Sequence, residues 1–175
     1  MKELYTIKKG KHFASGLNFN PHYGLDKLSF SITPHVNCLY TLGNANDYDI
    51  NKFFGVTWGL DPLKNSFRIG WNCSKQNGMI QYYYYFHNKG SRWPGTIDDP
   101  YKTLICESFP GSLENFTLKF NRRANTITLL RGNGLNFTMF PFDFNGVPNW
   151  GVYNHPYFGG DETAPHDMSM KIIKY

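Results

Sequence analysis

Apolar and polar residues alternate with a period of two through most of this chain, and no other feature constrains its fold as strongly. The alternation is clearest at positions 28–32, 67–71, 116–120, 126–129 and 168–172. Successive side chains of an extended strand point to opposite faces, so alternation places one face in a core and the other towards solvent. The pattern therefore predicts a series of half-buried β-strands.

Turn-forming residues separate these strands at short intervals. Asn77-Gly78 suits a type I′ hairpin turn, because both central residues of that turn need positive φ. A second hairpin is expected over 116–130, with its turn at 121–125. One or two helical turns are expected within 47–55, and the segment 132–150 is expected to form a strand followed by a long loop.

Many short strands separated by turns are typical of an antiparallel sandwich or barrel. We therefore predict an all-β fold, a two-layer antiparallel β-sandwich of the jelly-roll kind, with roughly nine to twelve strands at the usual spacing. A single domain over residues 1–175 is expected, since this length suffices for one core. Aromatic residues make up 18% of the chain and charged residues also 18%, a balance that favours an ordered chain.

Charge, cysteines and hydropathy exclude several classes of function. The net charge is +5, but the basic residues are scattered, so no specific nucleic-acid interface is expected. Cys38, Cys73 and Cys106 are three widely spaced cysteines, and we expect small buried side chains rather than disulfides or a metal knuckle. No run of about 18 apolar residues predicts a membrane span. The first residues lack the apolar segment of a signal peptide, so a cytoplasmic protein or one released by lysis is expected.

Exposed aromatic residues suggest a carbohydrate-binding surface. Trp58, Trp93 and Trp150 lie in loop-like contexts, where an aromatic ring can stack on the apolar face of a sugar. Tyr83, Tyr85 and Arg68 are further candidate ligand-binding residues on strands. Exposed aromatics of this kind are equally typical of a protein interface.

The chain also offers side chains for catalysis. A polysaccharide lyase needs a Tyr or His base beside an Arg or Gln that neutralises a carboxylate, and Arg68, Gln81, Tyr83, Tyr85 and His87 fall on one predicted hairpin. The alternative is a ladder of cross-strand tyrosines that stiffens the sheet. A glycoside hydrolase needs two facing carboxylates, and almost no strand carries acids at the required spacing. We therefore expect no catalytic residues.

Three acids near the C-terminus are candidate metal ligands. Asp161, Glu162 and Asp167 lie in a loop rich in Gly and Pro just before the last predicted strand. Carboxylate and carbonyl oxygens are the ligands that Ca²⁺ prefers. The alternative is that these acids only cap local turns.

Several motifs are shared with a known family. They are Lys9-Gly10-Lys11-His12, the segments 49–55 and 65–71, Asn88-Lys89-Gly90, and the most specific one, 157–167 (YFGGDETAPHD). In these motifs the chain resembles a little-characterised family of short all-β proteins of Bacteroidetes-type bacteria and their phages. The resemblance implies a concanavalin-like jelly roll and carries over no catalytic residue.

The resemblance implies occurrence in phage genomes, which suits a virion component and also suits a surface glycan binder. The expected function is therefore a non-enzymatic capsid decoration, fibre or tail-associated protein, made in the host cytoplasm and located in the virion. Its partners would be other virion proteins or further copies of the chain. The second hypothesis is a lectin-like carbohydrate-binding module with a glycan as partner. The third is a jelly-roll polysaccharide lyase or glycoside hydrolase.

Overall fold

Thirteen β-strands dominate the computed structural model, which describes residues 2–15, 19–74, 77–93, 103–132 and 136–175. Within these ranges the helices are two short 3₁₀ helices, Val36–Cys38 and Ala45–Tyr48, and neither has the length or apolarity to cross a membrane. The strands are β1 Lys2–Ile7, β2 Pro21–Tyr23, β3 Lys27–Pro34, β4 Asn51–Trp58, β5 Ser66–Ser74, β6 Met79–Asn88, β7 Ser91–Trp93, β8 Leu104–Ser108, β9 Glu114–Asn121, β10 Thr126–Arg131, β11 Asn136–Pro141, β12 Trp150–Asn154 and β13 Met168–Lys174.

These strands form two antiparallel sheets. One sheet has six strands in the order β1-β13-β3-β9-β10-β11, and the other has seven, in the order β2-β12-β4-β5-β6-β7 with β8 also paired to β6. Consecutive strands often lie in different sheets, which is the connectivity of a jelly-roll sandwich. The predicted two-layer antiparallel sandwich is confirmed, although the short edge strands raise the strand number above the expected range.

The hydrophobic core lies between the two sheets and is largely aromatic. Phe30 of β3 contacts Phe54 of β4 with ring centroids 5.1 Å apart, and Tyr82 of β6 contacts Phe116 of β9 at 5.7 Å. Offset and edge-on contacts of this kind stabilise a core beyond the area that they bury. The alternation in β5 sends Phe67, Ile69 and Trp71 into this core, each fully buried, and so sends the intervening residues to the opposite face.

Both predicted hairpins are present. Strands β5 and β6 pair from Ser66 opposite His87 to Ser74 opposite Met79, and Gly78 in their turn has a φ of 60°. Strands β9 and β10 form the second hairpin, with Asn125 at a φ of 51°. The last predicted strand is β13. The segment 132–150 is expected to form a strand and a long loop, and the structure has β11 followed by an irregular segment there. Residues 133–135 of that segment lie outside the described residues.

The helical prediction for 47–55 is wrong over most of that segment. A 3₁₀ helix ends at Tyr48, and β4 begins at Asn51. The Asp47 carboxylate accepts hydrogen bonds from the backbone N–H groups of Leu42 and Gly43, 2.5 and 2.9 Å long, and so holds a tight turn. A bulge between Lys52 and Phe54 then breaks the period of two, which disguised the strand in the sequence.

The loop position expected for Trp58 is also wrong. This residue ends β4 and is only 2% exposed. Its ring contacts Phe120, Phe142 and Phe144 with centroids 5.0–5.3 Å apart. Strand pairing with β5 and β12 turns its side chain into the core, so Trp58 cannot stack on a ligand.

The cysteines are free, as predicted. Cys38 and Cys73 are buried, and Cys106 is partly buried. Burial raises the pKa of each of these thiols to about 12. They are therefore protonated and unreactive at neutral pH.

The two different environments of Trp58 and Trp150 make a direct test of this packing. Trp58→Ala should lower the free energy of unfolding by about 3–5 kcal/mol, because it empties a core position. Trp150→Ala, at a residue that is 44% exposed, should cost less than about 1 kcal/mol. Urea denaturation of both variants measures the difference. Equal losses would contradict the core position of Trp58.

Candidate functional site: a pocket on the outer face of the seven-stranded sheet

A pocket of about 500 Å³ lies on the face of the seven-stranded sheet that points away from the core. We call it the outer-sheet pocket. This volume is typical of small-molecule sites in proteins. Its walls combine two cations, several aromatic rings and polar groups. The lining residues are Phe13, Lys52, Pro62, Leu63, Arg68, Tyr85, Tyr153, Asn154, His155, Tyr157 and Gly160.

The pairing of β4, β5 and β6 builds the floor of the outer-sheet pocket. Arg68 of β5 lies directly opposite Tyr85 of β6, and Lys52 of β4 lies opposite Gly70. Arg68 is also paired with Gly55, where an added Cβ would come within 3.0 Å of Arg68 Cγ. A glycine at position 55 therefore leaves the space in which the aliphatic stem of Arg68 lies.

The segment after β12 closes one side of the pocket and explains the specific motif at 157–160. Tyr157 makes two backbone hydrogen bonds with Lys52, each 2.9 Å long. Its ring contacts Phe13 at a centroid distance of 4.9 Å. Gly159 donates its N–H to Asn51 Oδ1 at 2.7 Å, and an added Cβ there would lie 2.9 Å from Lys52 Nζ. The two glycines thus let the chain run close to Lys52 and turn, Gly160 having a φ of 73°.

Two cations, Lys52 and Arg68, share the floor without a carboxylate partner. Lys52 Nζ lies 4.5 Å from the ring centroid of Tyr85, and the guanidinium carbon of Arg68 lies 5.2 Å from the same centroid. None of the ion pairs within the described ranges involves either cation. Arg68 is 8% exposed, and its Nε has no hydrogen-bond partner. A buried cation with an unused donor is costly to hold.

Burial and mutual repulsion set the protonation of this cluster. Burial, with the added repulsion of Arg68 and Arg92, lowers the pKa of Lys52 to about 7 against the opposing effect of Asp49. Burial lowers the pKa of His87 to about 4, again with the help of the neighbouring cations. His87 is therefore neutral at pH 7. Arg68 Nη2 donates weakly to its Nδ1, at 3.5 Å.

Asn154, at the end of β12, adds a second unused donor to the wall. Its Oδ1 accepts a hydrogen bond from Thr57 Oγ1 at 2.8 Å. Its Nδ2 is buried and has no partner. Arg68 and Asn154 both line the outer-sheet pocket, and each has one buried nitrogen donor without an acceptor among the described residues. Buried polar groups are nearly always paired, so a ligand whose acceptor oxygens reach these two side chains fits this surface.

The structure brings two of the six predicted ligand-binding residues together, Arg68 and Tyr85. Tyr83 shares their sheet face but is 2% exposed and donates its hydroxyl to Gln81 at 2.9 Å, so it does not reach the pocket. Trp93 and Trp150 are about half exposed. They do not belong to the described lining of the pocket, and their role stays a prediction.

Sequence reasoning missed Lys52 and Asn154. The helical interpretation of 47–55 hid Lys52, because the bulge in β4 disturbs the alternation that would have placed it beside Arg68. Asn154 gave no local signal, since its unused amide depends on Thr57, which lies 97 positions away in the sequence. Tyr157 belongs to the motif that was singled out, but its contact with Lys52 required the fold.

The three predicted metal ligands do not converge. Both oxygens of Asp167 are occupied, by Lys8 Nζ at 2.8 Å and by the backbone N–H of Lys9 at 2.9 Å. Glu162 accepts from Asn44 at 3.4 Å, and Asp161 is exposed. Within the described ranges no group of three His, Cys, Asp or Glu residues can hold a metal ion. Asp161, Glu162 and Asp167 therefore do not form the Ca²⁺ site that their spacing suggested.

Comparisons with known proteins give distant similarities only. No family model and no curated protein matches this chain. Winged bean acidic lectin, solved with methyl-alpha-D-galactose, is 10% identical with a TM-score of 0.43 and full coverage of both chains. The CBM40 of a Ruminococcus gnavus IT-sialidase is 10% identical, with a TM-score of 0.42 over 100% of this chain and 91% of the other. The exoplasmic/lumenal domain of VIP36, in a Ca²⁺/Man3GlcNAc-bound form, is 10% identical with a TM-score of 0.40, covering 100% and 83%.

At these values the similarities indicate no ligand for this chain. They also do not bear on the resemblance to the family of Bacteroidetes-type bacteria and phages, which stays a prediction. The site must therefore be interpreted from its own geometry.

The depressed pKa of Lys52 predicts an unusual pH dependence of stability. The pKa of Lys52 is about 7 in the folded chain and 10.5 in the unfolded chain. At pH values between these two, only the unfolded chain holds the proton, so this residue makes the free energy of unfolding rise with pH. Lys52→Met should therefore stabilise the protein by about 1–3 kcal/mol near pH 7. The gain should shrink as the pH approaches 10.5.

Urea denaturation at several pH values measures this gain. Lys64→Met is the matched control, because Lys64 is exposed and should give little change at any pH. A Lys52→Met variant that is less stable than the parent at pH 7 would contradict the buried, unpaired state of this lysine.

Proposed function

We propose that this chain binds a carbohydrate in the outer-sheet pocket. The observation that carries the proposal is a pocket of about 500 Å³ whose lining combines aromatic rings with the polar side chains of Lys52, Arg68 and Asn154. A sugar ring combines an apolar C–H face with closely spaced acceptor oxygens. The pocket offers a complementary surface to both.

The aromatic walls are arranged for such a ligand. Tyr85 forms part of the floor, and Tyr157 and Phe13 form one side, with their rings in an edge-on contact. Sites for small molecules are typically lined by aromatic and apolar groups, with a few placed polar groups that fix orientation. The backbone bonds of Tyr157 to Lys52 hold this wall in position before any ligand arrives, and preorganisation of this kind favours affinity.

Other functions have less support. No contact of the described residues identifies a virion partner, so the virion role and location stay predictions, and light scattering of the protein in solution would test them through its oligomeric state. The lyase alternative predicted that the five residues Arg68, Gln81, Tyr83, Tyr85 and His87 act together. Arg68 and Tyr85 line the pocket, whereas Gln81, Tyr83 and His87 are not part of the described lining. This arrangement gives less support to base catalysis by His87 than to binding.

Paired variants locate the binding surface. Tyr157→Ala should weaken binding of a glycan identified on an array by at least about tenfold, because it removes one aromatic wall. Trp150→Ala removes an exposed aromatic residue outside the pocket and should leave affinity unchanged. Titration calorimetry with the same glycan measures both. Loss of binding in Trp150→Ala alone would move the site to the strand edge, and no binding by the parent protein to any array glycan would refute the proposed function.

A further inference from the structure

We infer that the sugar bound in the outer-sheet pocket carries a carboxylate, as a uronic acid residue does, and that Arg68 and Lys52 bind this group. This inference rests on the proposed function and specifies its ligand class. It is carried by the position of two basic side chains, side by side on the floor, that form no ion pair with any acid among the described residues.

The charges around the floor are unbalanced. Lys52 and Arg68 contact one ring, that of Tyr85, from 4.5 and 5.2 Å. The carboxylate that acts most on Lys52 is Asp49, which forms no ion pair with it among the described residues. A neutral sugar would leave Lys52 and Arg68 without an anionic partner among the described residues.

The shape of the free donors suits a carboxylate. The guanidinium of Arg68 carries parallel N–H donors, the geometry that a planar carboxylate accepts in a bidentate manner. Among the described residues its Nε has no hydrogen-bond partner, and its Nη2 makes only the long contact to neutral His87. The amine of Lys52 lies 4.5 Å from the centroid of the Tyr85 ring on the same floor, and the side chain of Asn154 also lines the pocket.

The packing around Arg68 indicates that its position is built rather than incidental. Its stem occupies the space left by Gly55, and its head lies against Tyr85 and His87. Only 8% of the residue is exposed. A lysine or arginine on an outer sheet face ordinarily extends into solvent, whereas Arg68 is packed against its neighbours in the pocket floor. Such a group recognises an anion with little loss of conformational freedom on binding.

Binding of a carboxylate should also change the protonation of Lys52. Its pKa of about 7 reflects burial and the repulsion of Arg68 and Arg92, opposed by Asp49. A bound anion would favour the charged amine and raise this pKa. At about pH 8 the amine is mostly neutral in the free protein, so binding should take up a proton. The other group of low pKa, His87 at about 4, stays neutral at this pH.

The experiment compares matched sugars. Tetrasaccharides of mannuronate, guluronate, galacturonate and glucuronate, together with sialyllactose, are titrated calorimetrically at about pH 8. Each is compared with the same sugar after its carboxyl groups have been reduced to alcohols. At least one acidic sugar should bind about tenfold or more tightly than its reduced form, since unpaired buried donors discriminate strongly against a ligand that lacks their acceptor. Ultraviolet absorbance of the mixture is recorded in parallel.

Variants assign the effect to the two cations. Arg68→Met should remove the preference for the acidic sugar, and Lys52→Met should reduce it. Titrations in two buffers of different ionisation enthalpy should show uptake approaching one proton per ligand in the parent and none in Lys52→Met. Lys64→Met is the control and should behave as the parent does.

Each outcome decides a different claim. Equal affinity for acidic and reduced sugars, with binding still lost in Tyr157→Ala, would overturn the carboxylate inference and leave the proposed function standing. A preference for acidic sugars that survives in Arg68→Met and occurs without proton uptake would also overturn the inference. Absence of binding to any sugar, acidic or reduced, would refute the proposed function itself. Appearance of an absorbing unsaturated uronate would support the carboxylate inference and show that the pocket also breaks the glycosidic C–O bond by removing the C5 proton.

Discussion

The pairing of β5 with β6 is the constraint on which the site depends. Nine consecutive residue pairs fix its register, and a slip by one residue would exchange the two faces of the strand. Arg68 would then enter the core and Phe67 would enter the pocket. The fully buried Phe67, Ile69 and Trp71 therefore hold Arg68 opposite Tyr85 as effectively as any contact that Arg68 makes itself.

The same sheet satisfies opposite requirements on its two faces. On the inner face, aromatic contacts such as those of Phe30 with Phe54 stabilise the sandwich. On the outer face, Lys52 and Arg68 are buried without an ion pair to any of the residues that the structure describes, which lowers stability. A protein tolerates such groups when function requires them, because binding sites commonly trade stability for recognition. The aromatic core provides the stability that the pocket floor removes.

The fold was largely predictable because its signals are local. The alternation and the Asn77-Gly78 turn predicted the β5–β6 hairpin, and the sandwich followed from many such elements. One error has a local cause: the bulge after Lys52 disturbs the alternation in β4, so the sequence predicts a helical turn where the structure has a strand. Of the site, Arg68 and Tyr85 were predictable from one hairpin, whereas Asn154 reaches the pocket only through long-range strand pairing.

The central claim is that the outer-sheet pocket is where this chain binds an acidic sugar, and a crystal structure of the protein with a uronate oligosaccharide tests it most directly. The account predicts a carboxylate within hydrogen-bond distance of the Arg68 guanidinium and close to Lys52 Nζ, with a sugar ring against Tyr157. A sugar stacked on Trp93 or Trp150, with the outer-sheet pocket empty, would contradict it.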